Sequence, residues 1–100
     1  MNFLVLARDG KDEHALERRL AMRETHWNGV MELYAAKKVV FAGALLNEQG
    51  KMAGSYLIVD FPSEEAIYRE WLDHEPYVKG DVWREIEIQP CAIADLSKSL

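Results

Sequence analysis

A single cysteine among 100 residues, Cys91, excludes an internal disulfide and a zinc site built from cysteines. Long apolar runs are also missing. The opening "MNFLVLARDG" offers five apolar residues before Arg8, too few for a signal-peptide core or a membrane span, so a cytoplasmic chain without membrane contact is expected. Positive charge is scarce: 12 Lys and Arg face 17 Asp and Glu, and the net charge of −5 opposes sequence-independent binding of nucleic acid. No HExxH or other metal-ligand spacing and no phosphate-loop glycine pattern occurs, so neither metal nor cofactor is expected. There is no internal repeat, low-complexity tract or linker.

What remains suits one compact domain over residues 1–100, with 49% hydrophobic residues for its core and a tail over 91–100. Asn2 to Ala7 reads as a buried strand closed by the turn Arg8-Asp9-Gly10. Asp12 to Lys38 lacks proline and favours helix; Leu16 and Leu20 suggest a first segment kinked near Ala21. Trp27, Val30, Met31, Tyr34 and Ala35 recur at helical spacing, which predicts an inward apolar face. "VVFAGALL" over 39–46 and "SYLIVDF" over 55–61 read as a hairpin of strands. Ser63 then caps a helix running to about Leu72, with Ile67, Tyr68, Trp71 and Leu72 inward, and "DHEPYVKGD" breaks it. Val82, Ile86 and Ile88 alternate with Trp83, Glu85, Glu87 and Gln89 in a last strand stopped by Pro90. Arg84 breaks that alternation, since it shares its parity with the apolar residues.

The order strand, helix, strand, strand, helix, strand predicts an α+β, ferredoxin-like βαββαβ fold: a four-stranded antiparallel sheet with two helices on one face. The first three strands are apolar at both parities, so the second face needs a cover. A second copy of the chain is the economical one, which predicts a homodimer or a higher assembly built from it.

Chemistry concentrates in "RRLAMRETHW". Arg19, Arg23 and His26 share one helix face and lie beside the strand end at Asp9. An imidazole takes up and releases protons near neutral pH, a carboxylate beside it orients the ring, and guanidinium forks hold anionic oxygens. The plainer reading is a solvated face on which Arg18, Arg19 and Arg23 pair with Asp12, Glu13, Glu17 and Glu24, as helix charge runs usually do. A second group, Asp73, His74, Glu75 and Asp81, sits in the proline-stiffened loop. Gly43 and Gly54 suit close backbone approach, His14 an exposed helix position, and the aromatics the core.

Taken together, "LARDG", "RRLAMRETHW", "FAGALL", "SYLIVDFPSEEA", "DHEPYVKGDVW" and "IEIQP" resemble the YCII-related (YciI-like) family over about residues 2 to 90. The resemblance implies ferredoxin-like chains paired into a dimeric α/β barrel, an architecture shared with muconolactone isomerases, and relatives that act as dehydrochlorinases on small rings. It also implies that His26 is the family histidine, that Arg19 and Arg23 bind substrate, and that Asp9 closes the first strand. The family's usual Asp-Pro is Glu75-Pro76 here, so the carboxylate partner of His26 lies between Asp9 and Glu75. The function expected is a small cofactor-independent lyase or isomerase for an anionic or cyclic compound. The alternative is a non-catalytic dimeric module that binds a small anion or a partner protein.

Overall fold

The computed structural model describes residues 1–98; the end of the expected tail, residues 99–100, lies outside them. Strands β1 (Asn2–Asp9), β2 (Val39–Leu46), β3 (Met52–Asp60) and β4 (Trp83–Cys91) form one antiparallel sheet in the order β2-β3-β1-β4. Helices α1 (Ala15–Ala35), α2 (Glu64–Glu70) and α3 (Pro76–Lys79) complete it, with a 3-10 turn at Leu72–His74. This strand order is that of the ferredoxin-like fold.

The core follows strand parity. Phe3, Val5 and Ala7 of β1, with Leu57 and Val59 of β3, are buried against the helices. Ile67, Trp71 and Leu72 pack there, while Tyr68, expected inward, is exposed. The opposite parity carries Leu4, Leu6, Ile58, Tyr56 and Phe41, side by side on the open face of the sheet. Phe41 is 57% exposed there, with no helix of the described residues covering it.

Three local features depart from expectation for physical reasons. The helix α1 is continuous, with no break at Ala21; its inward stripe is Ala15, Arg19, Met22, His26, Val30 and Leu33. Of the residues expected inward, Val30 alone is buried, and Trp27, Met31 and Tyr34 are exposed. The inward stripe is polar at its centre, so the strongest apolar periodicity belongs to exposed positions. Next, β4 runs through Pro90 to Cys91, which an edge strand tolerates. Finally, Asp9 pairs with Trp83 and Arg8 with Glu85, so Arg84 is the extra residue of a bulge. The bulge turns Trp83 to the helix side with Ile86 and sends Arg84 outward to Asp81 and Asp12. Gly54 sits where a Cβ would come within 2.5 Å of the Ala7 carbonyl oxygen, the close approach its residue type suggests.

Candidate functional site

The loop after α2 is built to hold one carboxylate. Pro76 restricts Glu75 to extended backbone (φ −69°, ψ 125°) and opens α3 at its first turn. From that position the Glu75 side chain caps α3 by accepting from the Tyr77 backbone N–H at 3.2 Å. Its other oxygen accepts from the Trp71 indole at 2.8 Å, and Nδ1 of His26 lies 2.5 Å from Oε1. Glu75 is 2% exposed, so three donors from three elements replace the water it has lost.

His26 is fixed as firmly. Its ring stacks on Tyr77 with centroids 3.8 Å apart and meets the edge of Trp83 at 5.4 Å. With Nδ1 turned to an acceptor, a neutral ring carries its proton there, and Nε2 keeps its lone pair. Nε2 makes no hydrogen bond among the described residues. Burial pushes the Tyr77 phenol above its ordinary range, so it stays protonated at neutral pH.

Asp9 takes a different partner from the one sequence reasoning left open. Arg19 Nη1 donates to its two oxygens at 3.0 and 3.2 Å, and Arg19 Nη2 donates to Ser55 Oγ at 2.9 Å. The guanidinium also lies 4.9 Å from the Tyr77 ring centroid. Asp9 makes no hydrogen bond to His26, because the neighbouring guanidinium occupies it. Burial raises the Asp9 carboxyl above its usual range, and Arg19 offsets this only in part. Arg19 is 4% exposed with both terminal nitrogens engaged inside the protein, which leaves its Nε without a hydrogen-bond partner among the described residues. Arg23 is exposed and has no ion-pair partner among the described residues.

Arg19, Arg23, His26, Ser55 and Tyr77 line one cavity of about 130 Å³ between α1 and the β2–β3 half of the sheet. A larger groove of about 720 Å³ lies between the end of β1, the start of α1 and the β2–β3 hairpin. It reaches Asp9 but neither His26 nor Glu75, so the chemistry and the larger volume are in different places. Asp73 and His74 point outward from the loop that buries Glu75. Among the described residues no group of three or more His, Cys, Asp or Glu side chains gathers as a cation site, and no helix is long and apolar enough to cross a membrane. Ser55, Trp71, Tyr77 and Trp83 are the site neighbours that sequence reasoning passed over. A signal was present for Ser55: like Asp9, it is a polar residue at the buried parity of an apolar strand.

A family model for the YCII-related domain matches residues 1–92. The chain belongs to the YCII-related family. This YCII-related chain is 30% identical over 96 residues to an uncharacterised protein of Haemophilus influenzae, covering 90% of this chain and 95% of the relative. Among solved structures, 5-chloro-2-hydroxyhydroquinone dehydrochlorinase (TftG) from Burkholderia phenoliruptrix AC1100, in complex with 2,5-dihydroxybenzoquinone, superimposes with a TM-score of 0.79. That likeness covers 96% of this chain and 98% of the dehydrochlorinase at 20% identity, so it speaks for the fold. A dimeric ferredoxin-like protein from an uncultured marine organism superimposes with a TM-score of 0.51 at 14% identity, covering 95% of this chain and 96% of that one.

Proposed function

We propose that this YCII-related chain is a small cofactor-independent lyase or isomerase for a single-ring compound bearing carbonyl or enolic oxygens. The observation that carries the reading is His26, whose Nδ1 meets buried Glu75, whose Nε2 has no hydrogen bond among the described residues, and which lines a cavity of about 130 Å³. The cavity is somewhat smaller than the roughly 150 Å³ that takes a benzene, which limits the ligand to one ring. The dehydrochlorinase that shares the fold was solved with such a ring compound.

In this reading Nε2 takes a proton from the carbon beside a carbonyl. The electron pair moves onto the carbonyl oxygen, and the enolate so formed is met by hydrogen-bond donors and by the unpaired charge of Arg23. For a lyase the pair returns to form the carbon–carbon double bond and expels the leaving group, chloride for a chlorinated ring. For an isomerase the His26 imidazolium returns the proton to a different carbon. Glu75 stabilises the imidazolium between the two steps, and the Trp71 indole and Tyr77 amide keep that carboxylate in place. Asp9 and Arg19 act as a positioning pair beneath the cavity.

Turnover of 5-chloro-2-hydroxyhydroquinone, followed by chloride release, is the direct test. His26→Ala should lower the rate at least about a hundredfold, the usual scale of acid–base assistance. A folded His26→Ala protein that turns over like wild type removes the mechanism. A ring compound that binds, raises the melting temperature and is recovered unchanged from wild type points to a non-catalytic binding module instead.

The apolar open face supports a homodimer in which a second copy covers Leu4, Leu6, Phe41, Tyr56 and Ile58. Light scattering after size exclusion at micromolar concentration should give twice the mass of one chain, and a monomer rejects that assembly.

A further inference from the structure

We infer that Ser55 is a ligand-contacting residue of this site, delivering its hydroxyl hydrogen into the cavity as a donor to a carbonyl or enolate oxygen of the bound ring. The inference deepens the proposed function and rests on it for the identity of the ring.

The argument is a count of donors and acceptors. A serine hydroxyl offers one hydrogen and two lone pairs. Arg19 Nη2 reaches Ser55 Oγ at 2.9 Å and Trp83 Nε1 reaches it at 3.2 Å. Guanidinium and indole nitrogens only donate, so both lone pairs are filled and the hydrogen is left over. Ser55 is 3% exposed, and its cross-strand neighbours on this face, Ala7 and Ala44, have methyl side chains that cannot accept. Asp9, the nearby carboxylate, is bonded to Arg19 and makes no bond to Ser55 among the described residues. The remaining direction is the cavity, which Ser55 lines together with His26.

Two further observations agree. Arg19 Nε is buried and has no hydrogen-bond partner among the described residues, so this layer holds a second unused donor beside the first. Buried donors left unmade are rare, and a cluster of them marks a place for an acceptor that arrives from outside. The Arg19 charge and the indole N–H also polarise the Ser55 O–H, which strengthens it as a donor. Ala42, Gly43 and Ala44 line the cavity beside Ser55 with small side chains or none, which leaves room for a flat ring to approach the hydroxyl. The ligand class that fits is a planar ring with an electron-rich oxygen at the Ser55 floor and anionic charge toward exposed Arg23.

The test uses 2,5-dihydroxybenzoquinone and acetate as probes, titrated calorimetrically into wild type, Ser55→Ala, Ser55→Cys and His26→Ala. Cysteine keeps the size of serine but is a weak donor, so it serves if the alanine variant does not fold. The expected result is a loss of roughly 10- to 100-fold in affinity for the quinone in the Ser55 variants, the scale of a hydrogen bond to a charged acceptor. The infrared C–O stretch of the bound quinone should also rise in those variants, a change that a purely structural serine would not cause. Folded Ser55 variants that bind like wild type with an unshifted stretch, while His26→Ala binds more weakly, overturn the inference and leave the proposed function standing. Acetate binding weakened in Ser55→Cys, with no quinone binding by wild type, supports the donor and rejects the ring. Wild type that binds neither probe rejects both.

Discussion

Arg18 and Arg19 are neighbours in sequence, each pairs with an aspartate of the β1–α1 region, and the two pairs are physically unlike. Arg18 holds Asp12 with two hydrogen bonds at 2.7 and 2.8 Å on the surface, and its Nε donates to the Asp81 carbonyl. Arg84, turned outward by the bulge, joins the same group through Asp81. That cluster clips two loops together in water, and its aspartates are held below the usual carboxylate range by their arginine hydrogen bonds. Arg19 faces inward one residue later, and its aspartate is raised by burial despite the ion pair. The same two residue types therefore stabilise the surface and weigh on the interior, where the interior pair carries site geometry instead.

The sharpest way to break this contrast is Arg19→Met, which leaves Asp9 buried without a counter-charge. A loss of about 3–5 kcal/mol in urea unfolding is expected. Adding Asp9→Leu should return much of that stability, since replacing both members of a buried pair by apolar groups is often neutral. A double variant no better than Arg19→Met would mean that the pair stabilises the fold on its own account. Arg18→Ala should cost several-fold less than Arg19→Met, and the remaining effect should shrink in high salt while the Arg19 effect persists. The smallest effect is in pH. The lowered Asp12 and Asp81 contribute stability above the ordinary aspartate range and lose it as pH falls through their folded values. Asp9, raised in the folded state, contributes most below its ordinary value and loses that contribution as pH rises. Unfolding curves of Asp12→Asn and Asp9→Asn against wild type should therefore diverge with opposite slopes, the Asp12 difference appearing below about pH 4 and the Asp9 difference above it, and parallel slopes would contradict the assignment.

Element order, the hairpin, the Ser63 cap and the two-faced apolar strands were legible because each rests on local periodicity or on one capping residue. The His26 neighbourhood was legible in its parts: Arg19, Arg23 and His26 share a stripe, and Glu75 is pinned by the following proline. Their pairing was not. Whether His26 meets Asp9 or Glu75 depends on where the loop after α2 folds back, a distance of 49 residues in sequence that no spacing rule encodes. The exposure of Trp27, Met31 and Tyr34 was hidden for a related reason: the inward stripe had given its central positions to polar site residues. Arg84 was seen as out of phase, but the bulge that explains it needs the opposing strand.

The two rims of the sheet differ in how they meet strangers. On β4 the outer rim carries Arg84, Glu85, Glu87 and Pro90, charges and a proline that discourage backbone pairing with another molecule. On β2 the rim is "VVFAGALL", eight residues with no charge and no proline. Such a segment is a template for amyloid-like stacking whenever its sides are laid bare. Concentrated stocks and heating therefore act on the same strand, and Val40→Lys is the simplest guard for keeping the protein in solution.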